Sequence, residues 1–272
     1  MIRLSDWALN TCKTPAQEKT LNRLLRIAKT KEAFAAQTFF EQIPELDLSA
    51  DLWMSASASM DMGVVASLTS LKRLKLDAQP MENFSLIESL KKLEHLSLKQ
   101  CKLDSFAFLS QFPKLTHLNL DDCGFTDFAV LETLTQLKSI SISKNNIRSL
   151  APLNSHTALE EIFASDNNIT DIAVCATFSE LRKLMVSNNM VEDLSPLSKT
   201  KKLRCLDVSR NKIDDLIAIK DLRDLSDLNV RDNRIRDLKP LRDMWGLTTL
   251  TIGGNPIHEE DLEDISRRVR IQ

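Results

Sequence analysis

The sequence predicts an α/β solenoid: a curved right-handed superhelix with a parallel sheet on its concave face and 3-10 or irregular turns on its convex face. Three observations predict it. A leucine returns every 22 residues from Leu71, without insertion or deletion, at Leu93, Leu115, Leu137, Leu159, Leu181, Leu203, Leu225 and Leu247. Each opens the pattern Leu-x-x-(Leu/Ile)-x-(Leu/Ile/Val/Ala)-x-x-(Asn/Cys/Gln)-x-apolar, clearest in LKSISISKNNI (Leu137–Ile147), LRCLDVSRNKI (Leu203–Ile213) and LSDLNVRDNRI (Leu225–Ile235). The rest of each unit reads x-D-(L/F/I)-x-P-L-x-x-L, as in RDLKPL (Arg236–Leu241) and EDLSPL (Glu192–Leu197). A fixed period of this kind means one supersecondary unit stacked many times, each burying the apolar face of its neighbours.

The N-terminal segment lies outside the period, and residues 1–60 are expected to form a helical cap. Thr14-Pro15-Ala16-Gln17 is a capping box with proline at the first helical position, followed at helical spacing by Leu21, Leu24, Leu25 and Ala28. A second helix is expected over about Lys31–Ile43, with Ala35, Phe39 and Ile43 on its inner face and Pro44 ending it. Residues 45–60 read as an edge strand and loop, and Met62, Val65 and Leu68 fit the second half of a degenerate repeat. A separate partner-binding arm, with Trp7 in it, is the alternative reading of this segment.

Residues 61–257 are expected to supply nine strands. In each, the second and third apolar anchors (Leu206 and Val208, for example) point inward, while Cys205, Asp207 and Ser209 point outward. Pro152, Pro196 and Pro240 share one register, where proline at the start of a short helical turn leaves no orphan donor. Asn145, Asn167, Asn189, Asn211, Asn233 and Asn255 form a column whose amides are expected to satisfy inward-pointing backbone groups; Gln79, Cys101 and Cys123 replace them in the early repeats. Phe84, Phe106 and Phe128 fill a core column held later by Leu150, Ile172, Leu194, Leu216 and Leu238. His156 and Thr200, where Leu or Phe is usual, are expected to loosen the convex side locally. The chain is expected to close with a cap helix over 258–272: Glu259, Glu260 and Asp261 open it, Arg267 and Arg268 close it, and Leu262, Ile265 and Val269 face inward.

The phrases NNIRSLAPL, NNITDIAVC, NMVEDLSPL and NRIRDLKPL carry a resemblance. Over about residues 60–265 the chain resembles the leucine-rich-repeat superfamily, in the 22-residue class of bacterial internalins and of a regulatory subunit of protein phosphatase 1. The resemblance implies a leucine-rich-repeat solenoid and a function in binding proteins. Two finer readings come with it. One is a regulatory subunit capping an enzyme such as a phosphatase, for which Phe163, Glu161, Asp207 and Asp227 are loosely comparable residues. The other is an internalin-like adhesin or secreted effector.

Composition narrows the function from the other side. A net charge of −2 and a pI of about 6.1 provide no field for nucleic acid or an anionic membrane, and no continuous Lys/Arg stripe with aromatics is present. The N-terminus does not read as a signal peptide, because Arg3, Asp6 and Lys13 interrupt it. The five cysteines do not suggest a disulfide framework; Cys101, Cys123 and Cys175 are expected to be buried thiols. A cytoplasmic monomer is the resulting expectation, with a secreted effector as alternative.

No glycine-rich phosphate loop, G-x-S-x-G, H-E-x-x-H or C-x-x-C motif occurs, so neither catalysis nor a cofactor is expected. His95 and His117 share a register on neighbouring strands, with Asn119 and Asp121 nearby. A metal there would need Asp121 or Glu161 as third ligand, and a mildly basic polar surface is the favoured reading. The expected partner site is the concave face around Phe163 and Met185. These stand in the column Lys75, Ser97, Asn119, Ser141, Phe163, Met185, Asp207, Asn229, Thr251. An outward apolar pair rimmed by Glu161, Lys183, Asp207 and Asp227 fits a binding hot spot; mutual packing of the two side chains is the plain alternative. Cys205 joins that surface as the candidate reactive thiol.

Overall fold

The computed structural model describes residues 3–10, 13–49, 59–258, 265–266 and 269–271. They fall into two compact units, Met1–Cys123 with Val130–Gln136, and Gly124–Ala129 with Leu137–Gln272.

The first unit opens with three helices, α1 (Leu4–Leu9), α2 (Pro15–Ile27) and α3 (Ala33–Gln42). The expected capping box starts α2: the Gln17 N–H donates to Thr14 Oγ1 at 3.2 Å, and the Thr14 N–H donates to Gln17 Oε1 at 3.1 Å. In α3 the inner face differs from expectation. Ala33, Ala36 and Phe40 are buried, while Ala35 is exposed and Ile43 is 48% exposed. Phe39 and Phe40 offer two helical stripes one residue apart, and the one with alanines a turn before it packs closer.

Pro44 ends the helix, and β1 (Glu45–Asp47) follows. Next come β2 (Met60–Asp61), α4 (Met62–Ala66), β3 (Arg73–Lys75), β4 (Met81–Glu82), β5 (His95–Ser97) and β6 (His117–Asn119). β1 pairs in parallel with β3, β3 with β5 and β5 with β6, so the sheet of this unit begins inside the expected cap region. Met62, Val65 and Leu68 are fully buried.

Two polar locks fasten the helices to the strands. Arg23 of α2 donates from Nη1 to Gln79 Oε1 (3.1 Å) and from Nη2 to the Ser49 carbonyl (2.7 Å). Buried Asp61 accepts from the Gly63 N–H (2.7 Å), Asn83 Nδ2 (2.7 Å) and Gln17 Nε2 (3.4 Å). Trp7 of α1 lies against Gly63, and its indole N–H is buried without a partner.

The second unit carries β7 (Ser139–Ser141), β8 (Glu161–Phe163), β9 (Lys183–Met185), β10 (Cys205–Asp207), β11 (Asp227–Asn229), β12 (Thr249–Thr251) and β13 (Arg270–Ile271). β13 corrects the expected all-helical cap: the chain leaves a short helical stretch at residues 265–266 and pairs with β12 in parallel. Burial of Ile265 and Val269 seats it, and the backbone pairing of β13 covers the open edge of β12. Leu262, Glu259, Glu260, Asp261, Arg267 and Arg268 lie outside the described residues.

The mid-strand residues Ile140, Ile162, Leu184, Leu206, Leu228 and Leu250 are at most 2% exposed. Behind each strand the asparagine column does what its chemistry requires. Asn189 donates from Nδ2 to the carbonyls of Ala164, Val186 and Ser187 (3.0–3.1 Å) and accepts the Ile169 N–H at 2.9 Å. Asn211 and Asn233 repeat this one and two units on. Every rung thus joins its own repeat to the one before.

A second column precedes it. Residues 78, 100, 122, 144, 166, 188, 210, 232 and 254 all have positive φ, between 53° and 79°. Only Gly254 meets this without the penalty a side chain brings. A Cβ there would also run into Asp232.

Further on, Ser105, Asp127, Ser149, Asp171, Asp193, Asp215 and Asp237 each accept the N–H two residues later and start the 3-10 turns. Pro152, Pro196 and Pro240 sit in the first positions of three of those turns.

Three core expectations are corrected. Phe84 and Phe128 are only half-buried; the fully enclosed phenylalanines are Phe40, Phe112, Phe125 and Phe178. A ring is longer than the leucine it replaces, and Phe84 leans out to meet Phe108 edge-on at 4.6 Å. His156 and Thr200 do not loosen anything: both are 0% exposed, and the Thr200 hydroxyl donates to the Leu197 carbonyl at 2.7 Å. Ser209 is buried instead of outward, with its N–H and hydroxyl both donated to Asp207 Oδ1.

Candidate functional site

In the second unit, alternation along three-residue strands sends the central residue inward and the two flanking residues outward. Strand register then sets the flanking residues side by side. Glu161 lies beside Lys183 and Phe163 beside Met185; Lys183 lies beside Cys205, and Met185 beside Asp207. Asp227 and Asn229 continue the two rows on β11. Phe163 and Met185 are both half-buried, so neighbours cover their flanks while part of each stays in water.

The rim is already engaged. The Lys183 ammonium lies 5.0 Å from the centre of the Phe163 ring, a cation–π contact. Glu161 accepts from the Ser139 hydroxyl at 3.1 Å and Asp227 from the Ser226 hydroxyl at 2.6 Å. Asp207 uses both oxygens internally, one for Ser209 and the other for Asn229 Nδ2 at 3.1 Å. Asp207 thereby fixes the strand end, and Asp227, the most exposed of the four, is the acid free to turn outward.

Cys205 is a poor nucleophile. Burial pushes its thiol up, Lys183 opposes this, and Asp227 and Asp207 reinforce it, so the thiolate is scarce at neutral pH. The other described cysteines are more firmly protonated: burial raises Cys101 and Cys123 to about 11 and Cys175 to about 12.

The first unit presents its own outward row, Glu45, Arg73, His95 and His117, on β1, β3, β5 and β6. The two imidazoles stack with centroids 4.0 Å apart and planes 16° from parallel. Stacked rings send their lone pairs out side by side instead of converging on one point, which suits a metal poorly. Among the described residues, no three His, Cys, Asp or Glu side chains are grouped to hold an ion. Asn119 spends its side-chain oxygen on the Asp121 N–H at 2.9 Å.

Sequence reasoning missed the left-handed column and the Arg23 and Asp61 locks. The first had a signal, since 22-residue spacing sets Asp166, Asn188, Asp232 and Gly254 in one register, and these types favour positive φ. The locks had none, because their side-chain bonds to Gln79, Ser49, Asn83 and Gln17 span more than 20 positions with no recurring pattern. Trp245, 80% exposed, was also not singled out. Its neighbour Gly246 has no room for a Cβ against the Arg223 carbonyl.

Residues 157–199 and 179–225 match the family described as Leucine Rich repeats (2 copies). Among solved structures, an internalin (inlF) from Listeria monocytogenes superposes with a TM-score of 0.73 at 24% identity, covering 97% of this chain and 94% of that one. An internalin C2 (inlC2) from the same organism gives 0.64 at 22% identity, over 88% and 92% of the two chains. These likenesses are of fold, and they fit the repeat pattern and the parallel sheet. No curated protein matches the sequence. No described helix is long and apolar enough to cross a membrane.

Proposed function

We propose that this leucine-rich-repeat chain is a non-catalytic scaffold that holds a protein partner against the outward sheet face of its second unit, around Phe163 and Met185. One observation carries the reading. Two large apolar side chains stand outward on neighbouring strands, in a column otherwise occupied by Ser141, Asp207, Asn229 and Thr251. A sheet facing only water gains nothing from them, whereas a buried partner contact gains roughly 25 cal/mol for each Å² of apolar surface covered.

Glu161, Lys183, Asp207 and Asp227 are the polar rim of this site. His95, His117 and Asn119 belong to the first unit's own outward face and are secondary contacts. Alternating sign along the rim favours a folded protein with patterned charge over a polyanion. The non-catalytic part of the reading rests on chemistry: the Cys205 thiol on this face is held protonated, and the imidazoles of His95 and His117 are stacked face to face. The working form is a monomer; the compartment, cytoplasmic or secreted, does not affect the argument.

The test is affinity capture from the source lysate with wild type and a Phe163→Ala/Met185→Ala double variant of equal melting midpoint. A partner held by wild type and lost by the variant supports the reading. Identical captures from both would move the site off this face.

A further inference from the structure

We propose that Arg204, with Lys201 and Arg223, receives an acidic segment of a protein partner beside the N-terminal ends of the strands of the second unit. The inference stands apart from the apolar pair on the sheet face and rests on a break in a charge pattern. The residue just before each strand of that unit recurs at 22-residue spacing, and the column reads Lys138, Glu160, Arg182, Arg204, Ser226, Thr248. Backbone bonds fix its members on neighbouring strands: the Arg182 N–H donates to the Glu160 carbonyl and the Arg204 N–H to the Arg182 carbonyl, both at 2.8 Å.

The column begins by alternating in sign and neutralising itself. Glu160 is shared between Lys138 at 3.4 Å and Arg182 at 3.6 Å. The first unit uses the same device at the same register, with Lys72 on Glu94 at 2.9 Å. The alternation then fails: the position after Arg182 holds a second arginine in place of an acid, and Ser226 and Thr248 follow it. Two like charges thus stand on backbones about 4.8 Å apart, and their repulsion is relieved only when an anion joins them. The turn leading into the strands adds to this charge. Lys202 has its own acid, Glu180, at 2.6 Å. Lys201 and Arg223, which share one register a repeat apart, have none. Arg204, Lys201 and Arg223 are all exposed, and none of the three forms an ion pair among the described residues. The acids of the next repeat leave Arg204 unpaired: Asp221 and Asp224 are exposed and without an ion pair, and Asp227 lies 2.6 Å from the Ser226 hydroxyl.

A run of carboxylates is the ligand this corner fits. The Arg204 guanidinium offers parallel N–H donors to both oxygens of one carboxylate. The three cations belong to two neighbouring repeats, so successive Glu or Asp side chains of one segment satisfy them together. The chain as a whole carries −2, so an acidic partner gains nothing from the global field and is attracted only locally.

The experiment measures fluorescence anisotropy of a labelled oligo-glutamate peptide against the full chain at low ionic strength. It compares wild type, Arg204→Gln, Arg204→Glu and a matched control, Arg236→Glu, at an exposed arginine of the same unit outside this corner. Wild type should bind the peptide, more weakly as salt is added. Arg204→Gln should weaken binding about fivefold, Arg204→Glu further still, and Arg236→Glu little. In the free protein Arg204→Glu supplies the acid that the alternation lacks, so its melting midpoint should be no lower than that of wild type. Absence of peptide binding by wild type, or an equal loss with Arg236→Glu, would overturn the proposal. Tighter binding of an oligothymidylate of the same charge would overturn the assignment to carboxylates, and a lowered midpoint in Arg204→Glu would make Arg204 part of the fold instead of a contact.

Discussion

The two units meet one structural need with different chemistry. After each strand the chain turns through a left-handed residue and leaves carbonyls and an N–H facing inward. In the second unit an asparagine answers both kinds of group: Asn167, for example, donates to Ile142 and Ala164 and accepts from Asn145 and Ile147. In the first unit a thiol answers them more weakly. Cys101 donates to the Leu76 carbonyl at 3.2 Å and Cys123 to the Leu98 carbonyl at 2.9 Å, the carbonyls that an asparagine amide takes in later repeats. Sulfur is a weaker acceptor than an amide oxygen, although backbone groups of Gln79 and Cys101 bond to the sulfurs of Cys101 and Cys123. The first unit compensates at its N-terminal side with long-range locks, Arg23 onto Gln79 and Asn83 onto Asp61. A ladder is a local, repeating solution; a lock is a single one that depends on a helix being docked.

The sharpest way to break this contrast is to remove a rung. Asn189→Ala leaves the Ile169 N–H without its partner and takes one donor from each of three buried carbonyls, which keep Asn167, Asn211 and the Asp166 N–H. Unfolding free energy should fall by about 3 kcal/mol, seen as a melting midpoint lower by roughly 6–12 °C. An unchanged midpoint would mean that water replaces the rung freely. Cys123→Ala removes the thiol's weak bonds to the Leu98 and Asp121 carbonyls and should lower stability by only about 1 kcal/mol. Cys123→Asn should raise it by a similar amount, because the new oxygen lies in register with the Leu103 N–H as Asn189 does with Ile169. A destabilised Cys123→Asn would show that the first unit's backbone has settled around sulfur and no longer fits the amide.

Legibility in the sequence follows the same division. What repeats could be read: nine strands, the asparagine column, the proline turns and the outward rows all follow from one period. What occurs once could not. The swap of faces in α3 turned on Phe39 against Phe40, which periodicity ranks equally. β13 depends on two residues pairing with an edge that only the folded sheet creates. Phe84 and Phe128 share a register with buried leucines but differ from them in length, and register does not say where a longer side chain ends. For the site, position was legible and engagement was not. The rows containing Phe163, Met185 and the two histidines came from counting, whereas Lys183 over the ring, Asp207 tied to Ser209 and the near-parallel imidazoles required coordinates.

The units should also differ in their response to acid. His95 binds its proton less readily folded than unfolded, so the unfolded state holds more protons once pH falls below the ordinary histidine value of ~6.5. Stability is therefore complete above that pH and is lost as pH falls toward the depressed folded value. Glu94 and Glu180 are held below the usual carboxylate range by hydrogen bonds from Lys72 and Lys202, and they act only at more acidic pH. Thermal melts from pH 7.5 to 5 should show a shallow decline that His95→Gln flattens. A decline of equal size in the variant would assign the dependence to other groups.

The smallest effect on folding is expected at the residue most important for the proposed function. Phe163 is half-buried and its fixed partners are at the surface: the Lys183 ammonium at 5.0 Å and Met185 on the next strand. An exposed cation–π contact contributes about 0.5–1 kcal/mol, and the inward anchor Ile162 remains fully buried in the variant. Phe163→Ala should therefore shift the unfolding free energy by no more than about 1 kcal/mol, well below the loss at Asn189, measured by chemical denaturation at constant slope. A loss as large as that at Asn189 would make the ring a structural element of the sheet face. It would also remove the reason for placing a partner there, because a side chain that the fold itself needs explains its outward position without one.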